Sequence, residues 1–315
     1  MPYGKKEDKK YREELQKKIL RLKKQKNAVI LAHNYQRDEI QDIADITGDS
    51  LQLARAASKV NADIIEFCGV RFMAESASIL NPDKKVLLPV KEAGCPLADM
   101  ITPEKLRSLK AQHPDAACVC YVNSSAEVKA ESDVACTSSN AIEVVRSLPN
   151  KQIIFVPDEN LGRYVQLQAS EKEIILWRGF CATHIRLSEE EAARAKKEHP
   201  QAKFLAHPEC RPEVLKLADE VCSTAGMFKY AKASEVDEFI IGTESGMLYR
   251  LEKENPGKKF FLPSEHLICA NMKLTTLGWV AYSLENEVHE IMVGEDIRVR
   301  AKKSLDKMLE ITYGK

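Results

Sequence analysis

The sequence predicts an α/β fold of three pseudo-threefold-related three-layer α/β/α domains with parallel sheets, arranged as a triangle around a central site. Three observations carry that expectation. One order of elements, an amphipathic helix followed by alternating apolar runs and helices, occurs three times along the 315 residues. The apolar runs are short and continuous and end in polar residues, as strands do when a parallel sheet buries both of its faces. A cysteine stands just beyond the closing run of each copy, at Cys95, Cys181 and Cys269, with spacings of 86 and 88 residues.

Each copy opens on a helix, in "YREELQKKILRLKKQK", "TPEKLRSLKAQHP" and "SEEEAARAKKEHP". Thr102 and Ser188 occupy N-cap positions, and Glu191 follows Ser188 at capping-box spacing. The first strands follow in "NAVILAHNYQ", "AACVCYVNSS" and "AKFLAHPEC". If His33, Val122 and His207 are equivalent, a second helix starts 17 residues later, at Ser50, Ser139 and Thr224, and a second strand is centred 34 residues later, at Phe67, Val156 and Ile241. Third strands close the copies in "KKVLLPV", "KEIILWR" and "KKFFLPS". The implied boundaries are 1–100 for the first repeat with its N-terminal helix, 101–186 for the second and 187–272 for the third. Residues 273–315 supply closing helices from "LTTLGWVAYSLENEVHEIMV" and "EDIRVRAKKSLDKMLEI".

Composition narrows the function classes. With 44% hydrophobic residues the chain can bury a sizeable core, and its 47 basic side chains are matched by 47 acidic ones, so no basic field exists to neutralise a nucleic-acid backbone. The densest charge run, "KKEDKKYREELQKKILRLKKQKN", carries Leu15, Ile19 and Leu22 at helical spacing and reads as a solvated amphipathic helix. No apolar run approaches the roughly 18 residues of a membrane span, and the charged start of the chain leads us to expect a cytoplasmic protein without membrane partners. Nine cysteines, an odd number with no CxxC pair, argue against a disulfide framework and ribbon-type zinc sites.

In open α/β sheets ligands sit outside the carboxyl ends of the strands. Those ends carry His33, Asn34 and Tyr35, then Tyr121, Val122 and Asn123, then His207, Pro208 and Glu209. The turns "TGDS", "CTSSN" and "CSTAG" add Ser50, Ser138 and Thr224 at helix N-termini, where free N–H groups favour a carboxylate or a phosphate. Three matched cysteines suit zinc, with His184 in "CATH" as the nearest fourth ligand, or an iron–sulfur cubane that leaves one iron open as a Lewis acid. Cys68, Cys118, Cys120, Cys136, Cys210 and Cys222 read as buried packing residues. Trp177 and Trp279 read as core aromatics.

At these residues the sequence resembles the quinolinate synthase A family, the iron–sulfur enzymes of de novo NAD biosynthesis. The resemblance rests on "LAHNYQ" with "GDSLQLA", "FCGVRFMAE", "GCPLADM", "YVNSSAEVKAESDVACTSSNA", "FVPDENLG", "HPEC" with "STAGM", and "GTESGM", in order from about residue 28 to 273. It implies a transferase that condenses iminosuccinate, supplied by an aspartate-oxidising enzyme, with dihydroxyacetone phosphate to give quinolinate, phosphate and water. It also implies one [4Fe–4S] cluster on Cys95, Cys181 and Cys269. The resemblance places substrate contacts at His33, Ser50, Tyr121, Asn123, Ser138, His207, Glu209 and Thr224, and a catalytic residue at Tyr35. Within that set Glu209 is the candidate general base, with a pKa tuned towards neutrality. Tyr35 and Tyr121 are candidate proton relays, and His184 is a candidate oxyanion donor. "HLICANMK" lacks the CxxC pair that some members carry, so a thiol switch is not expected. The rival readings are an iron–sulfur sensor or electron carrier and a small-molecule binder with a structural zinc.

Overall fold

Strands that are buried on both sides organise the molecule, a computed structural model of which describes residues 9–314. The start of the N-terminal charge run lies outside the described residues. The first repeat runs α1 (Lys9–Gln25), β1 (Ala28–His33), α2 (Asp38–Ile43), β2 (Ile46–Gly48), α3 (Ser50–Ala57), β3 (Ile64–Cys68), α4 (Arg71–Leu80) and β4 (Lys85–Leu87). The second runs α5 (Pro103–Gln112), β5 (Ala117–Tyr121), α6 (Ala126–Ala130), β6 (Val134–Cys136), α7 (Ala141–Ser147), β7 (Gln152–Val156), α8 (Glu159–Gln168) and β8 (Glu173–Leu176). The third runs α9 (Glu189–Glu198), β9 (Lys203–Ala206), α10 (Pro212–Leu217), β10 (Glu220–Val221), α11 (Thr224–Ala233), β11 (Glu238–Gly242), α12 (Met247–Glu254) and β12 (Lys259–Phe261). Helices α13 (Leu277–Asn286) and α14 (Glu295–Tyr313) close the chain.

Each repeat forms its own parallel four-stranded sheet, in the orders β2-β1-β3-β4, β6-β5-β7-β8 and β10-β9-β11-β12. Period-two alternation sends neighbouring residues to opposite helix layers, which is why both must be apolar. In β1, Ile30 and Ala32 pack with Ile19, Val280 and Leu284 of the outer helices, while Leu31 packs with Phe67, Phe72 and Met73 on the other face. In β5, Cys118 and Cys120 face Ile154 and Val156, while Val119 and Tyr121 face Ile153 and Phe155. Three-layer α/β/α architecture follows directly from that double burial.

The expected caps form: Thr102 Oγ1 accepts from Lys105 N, and Ser188 and Glu191 complete a capping box. Three differences from the sequence expectation are informative. Each repeat holds a short helix and a two- or three-residue edge strand (β2, β6, β10) in what reads as a turn. Helix α7 begins at Ala141 rather than Ser139, because Asn140 Oδ1 accepts from Thr137 N at 2.7 Å and closes residues 137–140 into a turn of their own. The run "LTTLGWVAYSLENEVHEIMV" stays helical only to Asn286, after which Glu287 adopts a left-handed conformation at φ 51°. The β-branched stretch beyond it lies antiparallel beside β4, with Ile291 N donating to Val86 O at 2.8 Å. No helix among the described residues is long and apolar enough to cross a membrane.

Candidate active site

The carboxyl-terminal loops of all three sheets line one cavity of about 190 Å³. His33, Tyr35, Ser50, Tyr121, Asn123, Ser138, His184, His207, Glu209 and Thr224 all contribute to its wall, and so do Cys95, Cys181 and Cys269. Every site residue selected from sequence therefore reaches the same space. Polar wall residues are fixed by short-range bonding. Tyr35 N donates to His33 Nδ1 at 3.2 Å, and Lys273 Nζ donates to Tyr35 O at 2.6 Å. Ser124 Oγ donates to Tyr121 O at 2.9 Å and the buried Lys129 Nζ donates to Ser124 O, so the loop that carries Tyr121 and Asn123 is held from behind.

The helix N-termini meet here as well. Ser50 and Thr224 are the first residues of α3 and α11, whose caps are Asp49 and Ser223. Ser139, just before α7, lies 2.6 Å from Asp49 Oδ2 and 2.8 Å from Ser223 Oγ, so the three turns touch one another. Asp49 also completes a capping box with Gln52, which brings a carboxylate to a wall that the sequence reading had assigned to hydroxyls alone.

A hydrogen-bonded line crosses the cavity wall. Tyr35 Oη lies 2.6 Å from Thr243 Oγ1, Thr243 Oγ1 lies 2.8 Å from His184 Nε2, and His184 Nδ1 lies 2.8 Å from Glu209 Oε2 and 3.2 Å from Cys181 Sγ. His207 stacks on His184 with centroids 4.5 Å apart, and its Nε2 lies 3.2 Å from Ser138 Oγ. Two buried oxygens in this wall, Glu209 Oε1 and Asn123 Oδ1, have no partner among the described residues, so polar surface has been desolvated without compensation.

Electrostatics sets the resting protonation. Burial pushes the Tyr35 and Tyr121 phenols well above their ordinary range, so both stay protonated donors. Burial, with the charge of His207 behind it, pulls the His33 imidazole down to about 3, and burial with His184 lowers His207. Burial alone would raise the Glu209 carboxyl, but the imidazoles of His184 and His207 override it and hold Glu209 below the usual carboxylate range. That direction is opposite to the one expected from sequence, because the two adjacent imidazoles outweigh the cost of desolvating the carboxylate. Asp158, buried near Glu209, takes the reverse course: burial and the Glu209 charge raise it well above normal.

The three cysteines share one local geometry. Each stands three residues ahead of a single turn of 3₁₀ helix, and backbone N–H groups two and three residues on, those of Leu97 and Ala98, Thr183 and His184, and Asn271 and Met272, pull its thiol down against the effect of burial. As free thiols all three are raised by burial, Cys95 to about 12. Buried acidic side chains anchor two of the turns, with Asp158 Oδ2 accepting from Cys181 N at 3.2 Å and Glu244 Oε1 from Cys269 N at 3.1 Å. Backbone dipoles that favour the ionised sulfur suit thiolates bound to a metal centre. Among the described residues, the set of donor atoms that lies within 4.8 Å of one another is Cys181, His184 and Glu209, not the three cysteines. Sulfurs around a single zinc, at about 2.3 Å from the ion, would stand about 3.8 Å apart. The cysteine triad therefore fits a larger cluster better than one tetrahedral ion.

The family model described as quinolinate synthetase A protein matches residues 17–310. The chain belongs to the quinolinate synthase family. Quinolinate synthase of Alkaliphilus metalliredigens is 59% identical over 293 residues, which covers 93% of this chain and 97% of that protein. Those of Geobacter metallireducens and Methanoregula boonei are each 56% identical over 297 residues, or 94% of this chain and 97% and 98% of theirs. Family membership makes the chain an enzyme of NAD biosynthesis acting on small molecules. Sequence reasoning missed Asp49, Asp158, Thr243, Glu244 and Lys273, although "GDS", "PDEN" and "GTES" had been singled out as motifs. The signal was a polar residue one or two positions past a buried strand in each.

Proposed function

We propose that this chain condenses iminosuccinate with dihydroxyacetone phosphate to quinolinate, releasing one phosphate and two waters, a balance that needs no net oxidation or reduction. The observation that carries the reading is the convergence of three cysteine sulfurs with Tyr35, His184 and Glu209 in the wall of one cavity, where Thr243 bridges Tyr35 and His184 from behind. Cys95, Cys181 and Cys269 would hold a [4Fe–4S] cluster, which when bound supplies an open iron as a Lewis acid for substrate oxygen or nitrogen.

The chain's own residues do the remaining work. Ser50, Ser138 and Thr224 offer hydroxyls beside helix starts, and Asn123 adds an amide, for the carboxylates and the phosphate. Ionised Glu209 accepts the Nδ1 proton of His184 and fixes its tautomer. Nε2 then accepts from the Thr243 hydroxyl, which in turn accepts from the Tyr35 phenol. Through Thr243 a proton can pass between the phenol and the imidazole, so Tyr35 protonates or deprotonates substrate oxygens while Glu209 balances the charge. Glu209 therefore acts as an orienting carboxylate, and His184 takes the role of base. His33, His207 and Tyr121 complete the wall as neutral hydrogen-bonding groups.

A second reading has one observation behind it. The compact Cys181, His184 and Glu209 set could hold a single small ion such as zinc, leaving Cys95 and Cys269 without a role. Anaerobic iron, sulfide and zinc analysis with an absorption spectrum separates the two. Our reading expects about four irons per chain, lost in Cys95→Ala, Cys181→Ala and Cys269→Ala alike and retained in Cys120→Ala, together with quinolinate formation by the wild type. A colourless zinc protein that keeps its metal in Cys95→Ala would overturn it.

A further inference from the structure

Arg186 ends the 3₁₀ turn His184–Arg186 that follows Cys181, and it lines the same cavity while remaining exposed to solvent. The other formally charged side chains in the cavity wall, Asp49 and Glu209, are both acidic. Among the described residues no hydrogen bond or ion pair occupies the Arg186 side chain. Its backbone is nevertheless pinned: Ile185 N donates to Cys181 O at 3.0 Å, Arg186 N to Thr183 O at 3.2 Å, and Arg211 Nε to Ile185 O at 2.8 Å.

The internal repeat separates what the fold needs from what this position holds. Five residues after the cysteine, the equivalent turns place Met100 and Leu274, both packed against the core. The turn is thus satisfied by an apolar residue, and the second repeat departs from it with an unpartnered guanidinium.

We infer that Arg186 is the docking cation that receives the anionic groups of incoming substrates, the phosphate ester first, at the solvent-facing side of the cavity. The inference rests on the proposed reaction for the identity of those substrates. A planar guanidinium forks onto phosphate or carboxylate oxygens, and a lone positive charge beside acidic walls raises the capture rate of dianions that the interior would repel. The neutral imidazoles of His33 and His207 offer no competing charge. Arg186 holds substrate on entry and takes no part in moving protons.

The test compares cluster-loaded wild type, Arg186→Met and Arg186→Lys, with the imine generated in the assay by an aspartate-oxidising enzyme. Methionine is the residue that the first repeat uses at this position, so the turn should survive. The expected result is a KM for the triose phosphate raised about ten-fold in Arg186→Met with kcat within about two-fold, partly recovered in Arg186→Lys. The fall of kcat/KM with added salt should also be steeper in the wild type than in Arg186→Met. An unchanged KM with the wild-type salt dependence overturns the inference, as does a loss confined to kcat. If the wild type forms no quinolinate, the proposed reaction fails separately. Calorimetric titration with inorganic phosphate then decides, with weaker binding to Arg186→Met supporting the docking role and equal binding overturning it.

Discussion

His184 Nδ1 stands 2.8 Å from Glu209 Oε2, and neither side chain is open to solvent. In the proposed mechanism this carboxylate takes the Nδ1 proton, beside Cys181 Sγ at 3.2 Å, and leaves Nε2 to accept from Thr243. Glu209→Gln keeps the shape but removes the charge. Turnover should fall roughly 100-fold to 10,000-fold, while the absorption spectrum of the loaded protein stays that of the wild type. An active Glu209→Gln enzyme would refute the orienting role.

Thr243 bridges Tyr35 and His184, and among the described residues no other side chain hydrogen-bonds to both. Thr243→Val removes the bridging oxygen at nearly constant volume. It should lower kcat about 10-fold to 100-fold and cost about 1–3 kcal/mol of stability through two unsatisfied buried groups. Thr243→Ser restores the hydroxyl and should recover most of both. Parallel kinetics and thermal melts of the two variants check the point, and equal loss in both would show that the methyl group matters instead.

Acid sensitivity has an address in the cavity wall. Burial and neighbouring positive charge depress His33 to about 3 from the ordinary 6.5, so the folded chain excludes a proton that the unfolded chain binds. The stabilising contribution is fully present above pH 6.5 and is lost as the pH falls towards 3, at about 1.4 kcal/mol per unit. His33→Asn should flatten the stability–pH curve between pH 6.5 and 4, as read from urea midpoints. A curve as steep as the wild type would assign the acid sensitivity elsewhere, with the lowered His207 first in line.

The repeat and the cysteine positions were legible because both are written in spacing. Apolar runs such as "AVILAH" and "ACVCY" must be continuous to fill two helix layers, and a threefold recurrence survives errors at any one element. The edge strands β2, β6 and β10 were not legible, since strands of two or three residues at a sheet margin carry no periodicity of their own. Thr243 was missed for a different reason. Its chemistry arises from Tyr35 and His184, which lie 208 and 59 residues away in the other two repeats. The capping role of Asp49 was masked by the neighbouring Ser50, and the direction of the Glu209 shift depends on two imidazoles that only the folded chain brings beside it.

Glu66 offers a test that leaves the catalytic cavity untouched. It sits in β3 on the face that packs against α13, fully buried, with Ser283 Oγ 3.1 Å from Oε2 and, among the described residues, no partner for Oε1. Burial raises its carboxyl well above 4.5, so the folded chain retains a proton that the unfolded chain releases. The resulting cost is absent below pH 4.5 and grows as the pH rises, until the folded carboxyl itself ionises. Glu66→Gln removes the titration and keeps a hydrogen-bonding group beside Ser283. It should stabilise the protein by about 1–3 kcal/mol at pH 8, with the gain shrinking steadily towards pH 4.5. Denaturant midpoints of the two proteins across that range decide the matter. A gain independent of pH would mean that packing rather than proton retention accounts for the difference, and a loss at pH 8 would show that Glu66 is ionised and paired in the folded state.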